Sequence, residues 1–263
     1  MNRIFDTHVH YNEACYDEDR ESFLADLVTS GVSRVTNIAT NVVTSLENDL
    51  YTRKYDFMYG TVGAFPTEVD CLSEPGAMDT LERLLASNDK LVAVGEIGLD
   101  YHYDDVEKSV QKEYFEAQMD LARRAEVPIV IHSRDAAKDT LDIMRSAHAE
   151  EIGGVMHCYS YTKEVAREVL DLDFFFGIGG VVTFKNAKKL KEAVDYIPLS
   201  HIVLETDAPY LTPEPFRGKR NSSAYLSYVA EAIASIKEIT AEEVCAATWD
   251  NACRLYKIRE ESI

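Results

Sequence analysis

The residues best suited to chemistry stand in short, separated clusters. Asp6, His8 and His10 occupy every second position directly after Ile4 and Phe5. Further on come Glu96 in VGEIGLDY, His132 in PIVIHSRDA, His157 in HCYS, and Glu205 with Asp207 in ETDAPY. Neutral imidazole with carboxylate is the ligand set of zinc, and it also suits manganese or iron. One histidine at a strand end is more often a hydrogen-bonded structural residue, and an isolated H-x-H is weak for the same reason. The conjunction carries the reading. Of seven histidines, His8, His10, His132 and His157 close apolar runs, whereas His102, His148 and His201 fall in loops, a helix or a strand start.

Eight apolar, β-branched runs must position these groups: IFDTHV, VSRVTNIA, MYGTVGAF, LVAVGEIG, VPIVIH, GGVMHCY, FFFGIGG and HIVLET. Segments with helical spacing separate most of them: RESFLADLVTSG after the first, EPGAMDTLERLLAS after the third, and KSVQKEYFEAQMDLARRAE after the fourth. KDTLDIMRSAHA, KEVAREVLDL, KNAKKLKEAVDYI and SAYLSYVAEAIASIKE follow runs five to eight. Strands alternating with helices imply a parallel sheet with right-handed crossovers. Periodicity alone leaves a (β/α)₈ barrel level with a doubly wound open sheet. The chemistry decides. Five runs gain a polar group only at their far ends, where barrel enzymes keep their active sites. A further helix, AEEVCAATWDNACRLYKI, starts with the capping-box pattern Thr240 and Glu243. No linker or low-complexity tract interrupts the chain, so the expectation is one α/β (TIM) barrel domain over residues 1–263 with an additional C-terminal helix.

Side chains alternate faces along a strand. Asp6, His8 and His10 are therefore expected on one inward face, as are Glu205 and Asp207. So many buried titratable groups are costly unless a cation neutralises them.

The net charge is −19, from 46 acidic and 27 basic residues. That argues against broad binding to nucleic acid or acidic membranes but leaves room for a local basic site. Cys15, Cys71, Cys158, Cys245 and Cys253 are odd in number, scattered and without C-x-x-C spacing. They read as reduced thiols in an intracellular protein. With no signal-peptide core and no apolar stretch of membrane-spanning length, the expected place is the cytoplasm, with no membrane and no obligate protein partner.

Together FDTHVH (5–10), VGEIGLDY (94–101), PIVIHSRDA (128–136), HCYS (157–160), VTFKNA (182–187) and ETDAPYLTPEPFRGKRN (205–221) resemble the TatD family of metal-dependent deoxyribonucleases, within the amidohydrolase-like barrels. The resemblance runs from the first strand to DNACRLY in the last helix; TDAPYLTP with RGKRN is its most specific part. It implies two divalent ions, zinc, magnesium or manganese. His8, His10 and Asp207 would hold one, His132 and His157 the other, and Glu96 would bridge both. The implied activity is cleavage of DNA phosphodiesters, as a 3′–5′ exodeoxyribonuclease on ends of single-stranded or nicked DNA. Two metals would activate one water and stabilise an in-line displacement. Asp207 would take the proton of that water, with Asp6 and Glu205 orienting ligands from behind. The same ligand set would also serve an amidohydrolase or esterase acting on a small molecule.

Arg134 and Arg217 are candidates to clamp substrate phosphate. Lys219 and Arg220 make the loop around Arg217 the most basic patch at the proposed mouth. Tyr101 and Tyr210 could stack on a base or simply pack at the rim. The chain departs from the family pattern at the rim and in FFFGIGG, which carries an additional aromatic run. Phe65 stands in GAFP where the family usually has histidine, and Ser222-Ser223 replace an acidic-Pro pair after RGKRN, which is expected to alter the same rim.

Overall fold

All eight apolar runs become strands, each beside its sequence neighbour. The computed structural model describes residues 3–259. Its strands are β1 (Ile4–Val9), β2 (Val32–Asn37), β3 (Met58–Val62), β4 (Leu91–Asp100), β5 (Ile129–Arg134), β6 (Gly154–Met156), β7 (Phe175–Ile178) and β8 (Ile202–Leu204). They form one parallel sheet in the order β1 to β8. An isolated bridge between Val9 and Ala208 joins its two edges. The Thr7 hydroxyl also donates to Leu204 O at 3.0 Å, and Asp207 N to His8 O at 2.9 Å. The sheet is thus a nearly closed barrel, and the open-sheet alternative is excluded.

Helices α1 (Arg20–Thr29), α2 (Val42–Lys54), α3 (Ala77–Ser87), α4 (Lys108–Ala125), α5 (Ala137–Ser146), α6 (Lys163–Leu170), α7 (Lys188–Tyr196) and α8 (Leu226–Lys237) follow the strands in turn. A ninth, α9 (Ala241–Leu255), starts with the expected capping box: Glu243 N donates to the Thr240 hydroxyl, and Thr240 N to the Glu243 carboxylate. Phe5, Val92, Val130, Val155 and Val203, from five different strands, pack together with Trp249, Ala252 and Tyr256. Each such side chain removed from water contributes roughly 1.5–3 kcal/mol. This layer, with α9 against it, closes the barrel at the strands' N-terminal end. Polar side chains can gather only at the opposite end.

Helix α2 has no apolar stripe toward the core, which is why its spacing does not stand out. Its buried side is Ser45, Asn48 and Thr52, while Val43, Leu46 and Leu50 face solvent. It docks by hydrogen bonds: Asn48 Nδ2 donates to Asn37 O at 2.9 Å and Thr61 O at 3.0 Å. Asn41 and Thr44 cap its start reciprocally.

Two ladders shift register beside the polar clusters, β1 between Asp6 and Val9 and β4 between Val94 and Ile97. Such bulges re-aim side chains. The one in β1 overturns an expectation. Asp6 does not share a face with His8 and His10. Its carboxylate turns to Thr206 and to Ser223, just before α8.

Candidate metal centre

His8, Glu96, His132 and His157 converge at the C-terminal ends of β1, β4, β5 and β6, joined by His10 and Asp207 from the loops after β1 and β8. His8 Nε2 and His10 Nε2 lie 3.2 Å apart. Asp207 Oδ1 is 3.6 Å from the first and 3.3 Å from the second. These three ligand atoms form one compact group, and His8, Glu96 and His157 form another. Glu96 faces both halves of the site. Its Oε2 is 3.3 Å from His8 Nε2, and its Oε1 is 2.8 Å from His132 Nδ1 and 3.6 Å from His157 Nε2. One carboxylate thus turns one oxygen to each half of the site. His132 touches Glu96 but joins neither compact group.

The charge balance favours cations. Burial would raise Glu96, but His157 and His8 beside it hold it well below the usual carboxylate range. Asp207 is likewise lowered against burial, by His10 first. Among the described residues, every ion-pair partner of these two carboxylates is a histidine, so no fixed cation neutralises them. Burial and the neighbouring His157 push His8 down, toward the neutral form that ligates. Its Nδ1 is buried with no hydrogen-bond partner. The donor set fits divalent metal on these grounds.

Three buried carboxylates back the cluster. Glu205 Oε2 is 3.1 Å from His157 Nδ1, and Glu205 Oε1 accepts from Cys158 N at 2.6 Å. Asp6 accepts from Thr206 N at 3.0 Å, the Thr206 hydroxyl at 2.7 Å, the Ser223 hydroxyl at 2.6 Å and His8 N at 3.2 Å. It therefore ties the segment before Asp207 to His8. Burial alone accounts for the rise of its pKa to about 7, against those four donors. The third is Asp100, whose Oδ2 lies 2.9 Å from His132 Nε2. Sequence reasoning passed over it. The available signal was its place at the far end of β4, four residues after Glu96.

A family model for TatD-related DNases matches residues 5–257. The chain belongs to the TatD family. It is 43% identical over 255 residues to YabD of Bacillus subtilis, named as an uncharacterized metal-dependent hydrolase, covering 97% of this chain and 99% of that one. It is 36% identical over 259 residues to YcfH of Escherichia coli, named likewise, covering 97% and 96%. The crystal structure of YJJV, a TatD homologue from Escherichia coli, superposes with a TM-score of 0.91 at 26% identity, covering 98% and 99%. This TatD chain is a metal-dependent hydrolase on a TIM-type barrel. No helix among its described residues is long and apolar enough to cross a membrane.

Around the mouth, the TatD chain sorts its sequence-predicted contacts unevenly. Arg134 is exposed, with its guanidinium 5.3 Å from the Tyr103 ring centre. Arg217 is exposed and lies 4.3 Å from the centre of Phe184. Arg220 is engaged elsewhere. It pairs with Asp19, donates to Cys15 O at 2.6 Å and lies over Tyr16 and Phe23. The basic patch read from the loop therefore loses one of its three charges to α1's cap. Tyr101 is also engaged: its hydroxyl donates to Asp139 at 2.8 Å and Lys108 covers its ring at 4.2 Å. Tyr210 remains 51% exposed, with its ring centre 6.4 Å from that of His10. Phe65 sets its ring 4.6 Å from His132, edge on. Ser223 corrects another expectation. It is buried and bonded to Asp6 and Tyr11, so the Ser222-Ser223 departure acts on the barrel seam more than on the rim.

Proposed function

We propose that this TatD hydrolase cleaves phosphodiester bonds of DNA with two divalent ions, working 3′–5′ from ends of single-stranded or nicked strands. The bridging posture of Glu96, one oxygen toward His8 and one toward His132, carries the two-ion reading. Zinc, manganese and magnesium are the candidate ions. Bound at this site, they would supply Lewis acidity at phosphorus and lower the pKa of a water.

The chain's own groups do the rest. Asp207 keeps its carboxylate ionised and 18% exposed on its side chain, open to take a proton from an attacking water. Glu205 and Asp6 hold His157 and the His8–Asp207 segment in place. Arg134 and Arg217 offer planar donors for phosphate oxygens. Tyr210 offers an exposed ring to a terminal base. An acidic protein with few free cations at its mouth suits a strand end more than a long duplex.

One observation favours a second reading. Phe65 lays an apolar edge against His132, which suits a small amide, lactone or ester. The experiment that separates them compares turnover of end-labelled single-stranded DNA with a panel of amides and lactones, across zinc, manganese and magnesium. Metal-dependent release of nucleotides from a DNA end supports the nuclease. Turnover confined to the small molecules supports the second reading. A cytoplasmic location fits either substrate.

A further inference from the structure

His132 is gripped from two sides. Its Nδ1 lies 2.8 Å from Glu96 Oε1 and its Nε2 lies 2.9 Å from Asp100 Oδ2. His8, His10 and His157 all meet Glu96 through Nε2. His132 alone meets it through Nδ1, so its ring is turned the other way round.

Asp100 is built into that position. It is 1% exposed. Its Oδ1 accepts from His102 N at 2.9 Å. Gln111 of α4 clamps its main chain, accepting from Asp100 N at 2.9 Å and donating to Asp100 O at 3.0 Å. The β4–β5 register sets Gly98 beside His132. A methyl group on Gly98 would stand 2.0 Å from His132 O, so that close approach needs glycine. Asp100 belongs to none of the compact ligand groups among the described residues. Among the described residues, its contact with the proposed ligands is through His132.

We propose that Asp100 is the positioning residue for the second half of the site. It accepts a hydrogen bond from the Nε2–H of His132, and so would leave the Nδ1 lone pair for a metal beside Glu96. A histidine that donates its other ring N–H to a carboxylate is fixed in tautomer and orientation and is a better ligand. The proposal rests on the two-ion reading.

The test uses the full chain with ¹⁵N-labelled histidine, stripped of metal and then loaded with zinc. The expected spectrum shows His132 protonated at Nε2 and metal-bound at Nδ1. In calorimetric titration with zinc, Asp100→Asn should bind one ion as the wild type does and the other roughly 10–100-fold more weakly. Thermal unfolding reports whether that variant is folded; if it is not, the wild-type spectrum decides alone. Metal at Nε2 of His132, or a folded Asp100→Asn protein with both affinities intact, overturns the proposal. Two ions with Nδ1 ligation but no DNA cleavage support it and overturn only the substrate assignment. A wild type that binds no metal overturns both.

Discussion

Gly177 and Glu205 compete for one space. A methyl group on Gly177 would stand 2.0 Å from Glu205 Oε2. That oxygen is the one beside His157 Nδ1. Gly177→Ala should therefore swing Glu205 away from His157 without touching a ligand. The expected result is a loss of about 10–100-fold in metal affinity, in the same direction as Glu205→Gln. Calorimetric titration of both variants checks it. Wild-type affinity in Gly177→Ala would show that the posture of Glu205 does not matter.

Asp207→Asn removes the proposed proton acceptor while keeping size and hydrogen-bonding shape. Hydrolysis should fall by more than about 10²-fold. Far-ultraviolet circular dichroism and the unfolding midpoint should stay near wild type, because Asp207 lies at the mouth and outside the packed layers. Retained turnover would assign the proton transfer to another group.

Metal affinity should rise with pH. Burial alone would lower His157, but Glu205, Glu96 and Asp207 outweigh it and push it up to about 10. His132 and His10 are raised for the same kind of reason, each against burial by carboxylate partners. Raised groups hold their protons to higher pH in the metal-free protein, and His157 holds its proton through neutrality. Ligation requires neutral imidazole, so each ion must displace protons. Affinity then increases from neutrality toward alkaline pH and collapses on acidification. Calorimetry in buffers of different ionisation enthalpy counts the released protons. An affinity that stays flat from about pH 6 to pH 9 would contradict the charge balance described.

Arg217 and Arg220 stand three residues apart and should behave differently. Arg217→Ala removes an exposed cation at the mouth. It should raise KM for DNA several-fold, leave kcat nearly unchanged and flatten the salt dependence of KM. Arg220→Ala breaks the Asp19 pair and the packing over Tyr16 and Phe23. It should lower the unfolding midpoint and leave KM alone. Steady-state kinetics at several salt concentrations, with a thermal melt of each variant, separate the two.

Much of this site was readable because its candidate ligands close apolar runs, and the barrel brings strand ends together. His8, His10, Glu96, His132, His157 and Asp207 all meet as the spacing implied. What failed were readings that assumed regular geometry. Period-two alternation put Asp6 beside His8, but a bulge in β1 turns it toward Ser223. Helix α2 escaped notice because its buried face is polar and its apolar side chains are outside. Arg220 looked available, and Tyr101 stayed open between base and rim, because sequence does not show that Asp19 and Asp139 hold them. Asp100 was hidden by its regular place in a strand, since only the distance to His132 Nε2 reveals its partner.

We propose above that this TatD protein cuts phosphodiester bonds by means of bound divalent metal. The most direct measurement strips the wild type exhaustively with chelator, verifies metal content by elemental analysis, and follows cleavage of end-labelled single-stranded DNA as manganese or zinc is returned. The stripped protein should show no cleavage, and recovery should saturate near two ions per chain. Undiminished cleavage by metal-free protein would contradict the proposal.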